Sequence, residues 1–395
     1  VREEWKKTRI GEVCSVIAGQ SPKGIFCNDK GDGLPFYQGK KHFKEIFIDD
    51  PTTWTTQVTK EAFSGDILMS VRAPVGPINF STQRICIGRG LAAIRVGENV
   101  DRMFLFYWLL NRQKDIKGTE GAVFASINKN QIENIEILLP PLAEQKRLVA
   151  ILDDAFAGIE KAIANTEKNL ANARELFESY LNSVFNKANK NWREKKLYEV
   201  CGITSKLIDP QKSEFIDLPH IGAGNIITMT GELVNIQTAR NEGLKSGKYT
   251  FDEKMVLYSK IRPYLKKVTR PRFSGLCSAD IYPLRPNPED LDRDFLYYML
   301  LSMDFTEYAI IGSARAGMPK VNRNHLFNYQ ALLPDIGEQK RLAELLNSLT
   351  SETKSLETIY QEKLTALSEL KQSLLKKACS GELTAEDRNV EEAAA

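Results

Sequence analysis

The chain repeats itself. Trp5-Lys6-Lys7-Thr8-Arg9-Ile10-Gly11-Glu12-Val13-Cys14 returns as Trp192-Arg193-Glu194-Lys195-Lys196-Leu197-Tyr198-Glu199-Val200-Cys201. Leu139-Pro140-Pro141-Leu142-Ala143-Glu144-Gln145-Lys146-Arg147-Leu148 returns as Leu333-Pro334-Asp335-Ile336-Gly337-Glu338-Gln339-Lys340-Arg341-Leu342. The two motifs keep their order and nearly their spacing, so each half holds one domain followed by one tail. A tandem duplication of this kind supplies pseudo-two-fold symmetry within one polypeptide, which can meet a two-part target without dimerising.

Residues 1–142 are punctuated by Gly and Pro, at Gly19-Gln20-Ser21-Pro22, Gly31-Asp32-Gly33 and Ala73-Pro74-Val75-Gly76-Pro77. Short apolar runs, Ile67 to Val71 and Leu91 to Val96, read as strands. Phe104 to Asn111 reads as a helix, with Phe295 to Ser302 as its copy. After Pro141 the character changes. From Glu144 to Lys187 there is no Pro, and Gly158 is the only Gly. Val149, Leu152, Phe156, Ile159, Ile163, Thr166, Leu170, Ala173, Phe177, Tyr180 and Val184 recur three and four apart, a heptad seam that demands a partner helix. From Val149 to Val184 a helix runs about 54 Å at 1.5 Å per residue. The second tail repeats the pattern less strictly through Leu342, Leu345, Leu349, Leu356, Tyr360, Leu364, Leu367 and Leu374, with Thr350, Glu352 and Thr353 weakening one stretch.

The fold expected is α+β: two similar mixed, strand-rich domains separated by two long helices that form an antiparallel coiled coil. The first domain takes residues 1–142, the first long helix 143–187, the second domain 188–334 and the second helix 335–383. Residues 384–395 read as a disordered tail. Two amphipathic helices, each packed on its own domain, are the alternative; helices this long outrun domains of this size.

Catalytic signatures are missing. The three histidines, His42, His220 and His325, are widely spaced, and no phosphate-binding loop or dinucleotide fingerprint is present. Leu139-Pro140-Pro141-Leu142 superficially resembles the Pro-Pro loop of adenine methyltransferases. It lacks the polar residue before and the aromatic after that would hold a flipped base, and reads as a helix entry. The six cysteines have no C-x-x-C spacing. Cys14 and Cys201, and Cys86 and Cys277, fall at matching places, as small buried hydrophobes do. No cofactor, metal or catalytic residue is expected. The start lacks an apolar stretch and no run approaches a membrane span, so a cytoplasmic protein is expected.

Charge points weakly to a polyanion. Residues 1–142 carry 19 basic and 16 acidic residues, residues 188–334 carry 21 and 16, and the remainder is acidic on balance. An excess this small is also ordinary surface variation. The sharpest local signal runs from Lys254 to Arg272: Lys260, Arg262, Lys266, Lys267, Arg270 and Arg272 interleave with Tyr258, Tyr264 and Phe273, with no acid between. Such cations neutralise phosphates, and Arg grips a guanine edge with two parallel hydrogen bonds. A basic hairpin facing water is the plain alternative. In the first domain, Gln20, Ser21 and Lys23 share one loop and Gln38, Lys40, Lys41 and His42 another, while Arg72, Arg84 and Arg89 flank the middle strands. Arg315 and Lys320 lie in a Gly-rich basic loop that can approach a backbone.

The order of a mixed domain, an L-P-P-L-x-E-Q-K-R helix opener, a second mixed domain and the same opener resembles the specificity subunit of type I restriction-modification enzymes. Gly65-Asp66-Ile67-Leu68-Met69-Ser70-Val71-Arg72 and Leu257-Tyr258-Ser259-Lys260-Ile261-Arg262-Pro263-Tyr264-Leu265 are similar to a strand motif of its target-recognition domains. Ile127-Asn128-Lys129 and Val321-Asn322-Arg323 also fit. The likeness runs from Trp5 to about Leu383. One departure is that Gly65-Asp66 gives way to Glu253-Lys254, so a tight turn is not expected in the second copy.

The resemblance implies a non-catalytic role. Each domain would read one half of a split sequence on double-stranded DNA, and different loops imply an asymmetric target. The helices would set the unread spacer, at most about 16 base pairs at 3.4 Å each. They would also dock two methyltransferase subunits, and the complex would recruit restriction and translocase subunits. Leu152, Phe156, Ile159, Ile163, Leu170 and Phe177 of the first helix and Leu345, Leu349, Leu356, Leu364 and Leu367 of the second are the expected coil contacts. Two rivals are a coiled-coil adaptor without DNA binding and a methyltransferase or nuclease with a degenerate site.

Overall fold

A computed structural model of the chain describes residues 5–113, 115–116, 119–120, 125–186, 192–313 and 318–384. The first domain is built on an antiparallel sheet of β1 (Cys14–Ala18), β2 (Ile67–Ser70), β3 (Ile78–Phe80) and β4 (Leu91–Val96), in the order β1-β4-β2-β3. The sheet is covered on both faces. Successive side chains of a strand point to opposite sides. Ile67 and Met69 therefore join one core with Ile94 and the helix α1 (Arg102–Arg112). Leu68 joins another core with Tyr37, Ile85 and Ile87. That second core belongs to a five-stranded sheet in which Leu34–Tyr37 runs parallel to Ile85–Ile87. Asp101 starts α1 by accepting the backbone N–H groups of Met103 and Phe104, which have no partner inside the helix. The long helix α2 (Leu142–Val184) follows, 43 residues and about 65 Å.

The second domain repeats the plan. Strands β5 (Cys201–Gly202), β6 (Val256–Ser259), β7 (Val268–Thr269) and β8 (Ile281–Pro286) take the order β5-β8-β6-β7. Val256 and Tyr258 face the core shared with α3 (Arg293–Leu301), while Leu257 faces the core of a second five-stranded sheet. Asp292 caps α3 as Asp101 caps α1. The helix α4 (Ile336–Ser380) closes the chain with 45 residues.

The repeated sequence motifs now have structural reasons. Lys6–Arg9 pairs with Glu136–Leu139, and Arg193–Lys196 pairs with Gln330–Leu333, so each domain's first strand lies beside the strand that leads into its long helix. Asn128 and Asn322, central to the two short Asn motifs, cap small helices by accepting the N–H groups of Gln131 and His325. Cys14, Cys86, Cys201 and Cys277 are buried as expected. Burial pushes the Cys14 thiol up to about 11 and Cys201 to about 12.

The strands also correct one alignment. Ile67 matches Val256, so Gly65 corresponds to Lys254 and Asp66 to Met255. A tight turn survives in the second copy: the Met255 N–H reaches the Asp252 carbonyl at 3.2 Å, and the Asp252 carboxylate accepts the Lys254 N–H at 2.9 Å. The first of these bonds matches Asp66 N–H to the Phe63 carbonyl at 3.0 Å, but Gly65 has φ +88° and Lys254 does not adopt that left-handed backbone. The ion pair moves with it. Asp66 holds Arg95 through two hydrogen bonds, and Asp252 holds the matching Arg285.

The chain divides into two compact units, residues 1–166 with 362–395, and residues 167–361. Each unit thus takes one end of each long helix. In the first, Leu148, Leu152, Phe156, Ile159 and Ile163 of α2 share a core with Leu367, Leu374, Leu375 and Ala378 of α4. Glu160 pairs with Lys371, and Glu144 accepts from Thr384, so the two stretches run antiparallel. Thr384, expected in a disordered tail, is buried there; residues 385–395 lie outside the described residues. In the second unit, Phe177, Leu181 and Val184 share a core with Leu342, Ala343 and Leu346, and Arg174 pairs with Glu357. Leu170, Leu349 and Leu364 are half-buried. Leu345 and Leu356 depart from the expected seam: they are 42% and 41% exposed, while the neighbouring Leu346 is buried. At 3.6 residues per turn, adjacent positions lie about 100° apart, so only one of Leu345 and Leu346 can face inward.

Candidate nucleic-acid interface

The ends of β2 and β6 organise equivalent loop clusters. Past β2, the Val71 N–H bonds the Gly90 carbonyl at 3.0 Å and the Ile127 N–H bonds the Val71 carbonyl at 3.0 Å. Past β6, the Lys260 N–H bonds the Asp280 carbonyl at 3.0 Å and the Val321 N–H bonds the Lys260 carbonyl at 2.8 Å. Bridges Arg72 to Ser126 and Ile261 to Lys320 complete the match. Val71 therefore corresponds to Lys260, Arg72 to Ile261, Gly90 to Asp280 and Ser126 to Lys320.

In the first domain this cluster draws together residues from distant loops. Ser21 Oγ donates to Gln38 Oε1 at 2.7 Å and accepts the Arg89 N–H at 3.2 Å. Gly90 N–H bonds the Gln38 carbonyl at 3.0 Å. Arg89 stands exposed between two glycines that need to be glycines. A Cβ on Gly88 would lie 2.5 Å from Gln38 Oε1, and one on Gly90 2.5 Å from the Gln38 carbonyl oxygen. Arg72 is exposed on the adjoining loop. Lys40 and Lys41 follow Gln38 in a short exposed turn, where the His42 ring meets Tyr37 edge-on. The Gln20 carbonyl accepts from the Thr59 hydroxyl, and the Lys23 N–H bonds Gln57 at 3.0 Å, which fixes the loop while leaving both side chains exposed. Arg84 does not join them. It sits at the opposite end of the strand Ile85–Ile87 and makes two 2.8 Å hydrogen bonds to Glu61, holding that carboxyl below its ordinary range.

In the second domain the basic run divides by burial. Arg262, Tyr264 and Arg272 are exposed, and among the described residues none of the three has a side-chain hydrogen bond or ion pair. Lys260 and Lys320 both flank Asp280, at 3.5 and 2.7 Å, and the Lys320 contact leads in lowering the Asp280 carboxyl. Lys267 donates to the Ala223 carbonyl at 2.6 Å. Lys266 is only 7% exposed, and burial lowers its ammonium against the attraction of Glu178. Arg270 is sequestered as well. It pairs with Asp294 at 2.7 Å, donates to Asn347 on α4 and lies over the Tyr297 ring. Arg270 is thus structural rather than available to a ligand, because a desolvated ion is supported only where partners compensate, and Lys266 is withdrawn from the surface by burial. Arg315 lies outside the described residues.

Arg262 and Lys266 both adopt left-handed backbone, φ 49° and 45°, around the short turn Pro263–Leu265. Each such non-glycine residue costs on the order of 1–3 kcal/mol. The turn is bound down by the Arg262 N–H to the Pro319 carbonyl at 2.9 Å. Asp280 went unnoticed in sequence because it stands eight residues past the basic run. Its signal is the position of Gly90 in the first copy.

Residues 2–168 and 189–366 match the family model for the type I restriction modification DNA specificity domain. The EcoDI specificity subunit of Escherichia coli, a type I restriction enzyme subunit, is 27% identical over 98% of this chain and 90% of that protein. A solved chain from work on complex assembly and conformational transition of the type I R-M system shares the fold with a TM-score of 0.75 at 21% identity, covering 97% of this chain and 99% of its own. The HsdS subunit of Thermoanaerobacter tengcongensis does so with a TM-score of 0.63 at 20% identity, over 97% and 98%. The chain belongs to the type I restriction-modification DNA specificity family. It is a sequence-specificity subunit, a non-catalytic component whose partners are DNA and methyltransferase subunits. Among the described residues, no helix is long and apolar enough to cross a membrane.

Proposed function

We propose that the two domains read the two halves of an asymmetric, two-part DNA sequence. The observation that carries this reading is one scaffold with exchanged side chains. Where the first domain presents Arg72 and Arg89, the second has Ile261 and Ala279; where the first has Ser126, the second has Lys320, beside Arg262. Arg reads guanine, Gln reads adenine, and lysines hold phosphates. Ser21, Gln38 and Arg89 are the reading set of the first domain, with Lys23, Lys40 and Lys41 on the backbone. Arg262, Tyr264 and Arg272 are the set of the second.

The long helices set the number of base pairs left unread and dock two methyltransferase subunits, through which restriction and translocase subunits join. Support comes from apolar side chains that the helices leave exposed, Leu176, Tyr180, Ile359 and Leu370. The work is done in the cytoplasm, on the cell's own DNA and on incoming DNA. Methylation-sensitive sequencing of DNA from cells carrying the chain with its methyltransferase tests the reading. An asymmetric two-part motif is expected, and a continuous or palindromic motif contradicts it.

A further inference from the structure

We propose that Tyr264 determines the identity of one base pair in the half-site of the second domain, its ring pressed against the base edges beside the position that Arg262 grips. This inference rests on the second domain reading DNA. The turn Pro263–Leu265 is held between two left-handed residues that are not glycine, Arg262 and Lys266. Its closing hydrogen bonds, Leu265 N–H to the Arg262 carbonyl and Lys266 N–H to the Pro263 carbonyl, are both 2.9 Å. Pro263 and Lys266 are buried by this conformation, and Tyr264 is put out, 53% exposed.

A ring so displayed forgoes the packing that a relaxed loop would give it, and among the described residues its hydroxyl bonds nothing. Burial of Pro263 and Lys266 and the turn's hydrogen bonds hold the strained backbone, and the exposed ring it displays is what recognition uses. The neighbours fix the ligand. Arg262 is exposed on the same turn, and Lys320 is bridged to Ile261 two residues before Pro263. An unpartnered aromatic among cations suits the mixed surface of a DNA groove, where a ring gains by covering an apolar feature such as a thymine methyl and the cations hold phosphate or guanine.

The test compares methylation motifs in cells carrying the methyltransferase with the wild-type chain, Tyr264→Ala or Tyr264→Phe. Tyr264→Ala is expected to broaden one position of one half-site, lowering preference there roughly ten- to a hundredfold and leaving every other position intact. Tyr264→Phe keeps the ring and is expected to keep the motif. An unchanged motif in Tyr264→Ala, or a uniform fall in methylation with no broadened position, overturns the inference. A wild-type chain with no two-part motif overturns the reading of both domains, and this inference with it.

Discussion

The side-chain oxygen of Gln145 accepts the backbone N–H of Asp101 at 2.7 Å, and its amide donates to the carbonyls of Asn99 and Pro140. Gln339 does the same with Asp292, Asp290 and Pro334, at 2.9, 2.9 and 3.0 Å. Both side chains are buried, and both Asp partners cap the short helix of their domain. The glutamine of each E-Q-K-R opener is therefore the bolt between a long helix and the domain it serves. Gln145→Ala strands one N–H and two carbonyls, which costs about 3 kcal/mol. Gln339→Ala costs a similar amount, and the double variant loses the sum because the two sites share no partner. Urea denaturation followed by circular dichroism checks this.

Arg270 is the second domain's own tie to α4. Besides Asp294 and Asn347 it reaches the Tyr298 hydroxyl, which in turn meets Thr350. Arg270→Met removes the 2.7 Å partner of Asp294, leaves it only the looser Arg293 pair at 3.7 Å, and is expected to destabilise the unit by about 2–3 kcal/mol, discounted for partial exposure. Arg270→Lys rescues little of this, because one ammonium cannot stack on Tyr297 and serve several acceptors at once. Thermal melting of the three proteins measures both effects.

This network explains what the sequence obscured. The weak heptad around Thr350 is the polar seat of Arg270, and no periodicity scan could pair a helix residue with a strand end 77 positions away. Seam positions such as Leu152, Phe156 and Ile159 were legible because burial against a helix imposes its own period. The same rule fails where two leucines, Leu345 and Leu346, stand side by side. In the candidate interface, residue types were legible and groupings were not. Ser21 meets Gln38 and Arg89 across 17 and 68 residues, whereas Arg84, close to Arg89 in sequence, belongs to Glu61.

His220 is buried, with Nδ1 2.9 Å from Glu242 and Lys248 nearby; burial lowers its pKa, with Glu242 opposing and Lys248 reinforcing. A histidine lowered in the folded state binds its proton more readily when unfolded. Stability is then full above the unfolded value near 6.5 and falls as pH drops from there toward the folded value. The second unit is expected to lose stability on acidification below about pH 6.5, and His220→Gln is expected to flatten that dependence. Denaturation midpoints taken across pH 5–8 decide it.

Cations paired or buried within the protein and cations exposed on its loops differ in their effect on DNA binding. Replacing Lys23, Lys40 and Lys41 together by Ala is expected to weaken binding to all sequences alike and reduce the salt slope by about 0.9 for each phosphate no longer neutralised. Arg84→Ala and Lys266→Met are expected to leave affinity and slope unchanged. Fluorescence anisotropy of the assembled methyltransferase complex over a salt series separates the two groups.

Replacing residues 188–334 with a second copy of residues 1–142 and sequencing the resulting methylation motif tests most directly that each domain reads its own half. Two identical half-sequences, both matching the half assigned to the first domain, are the result expected. A motif that keeps the original second half would contradict the account.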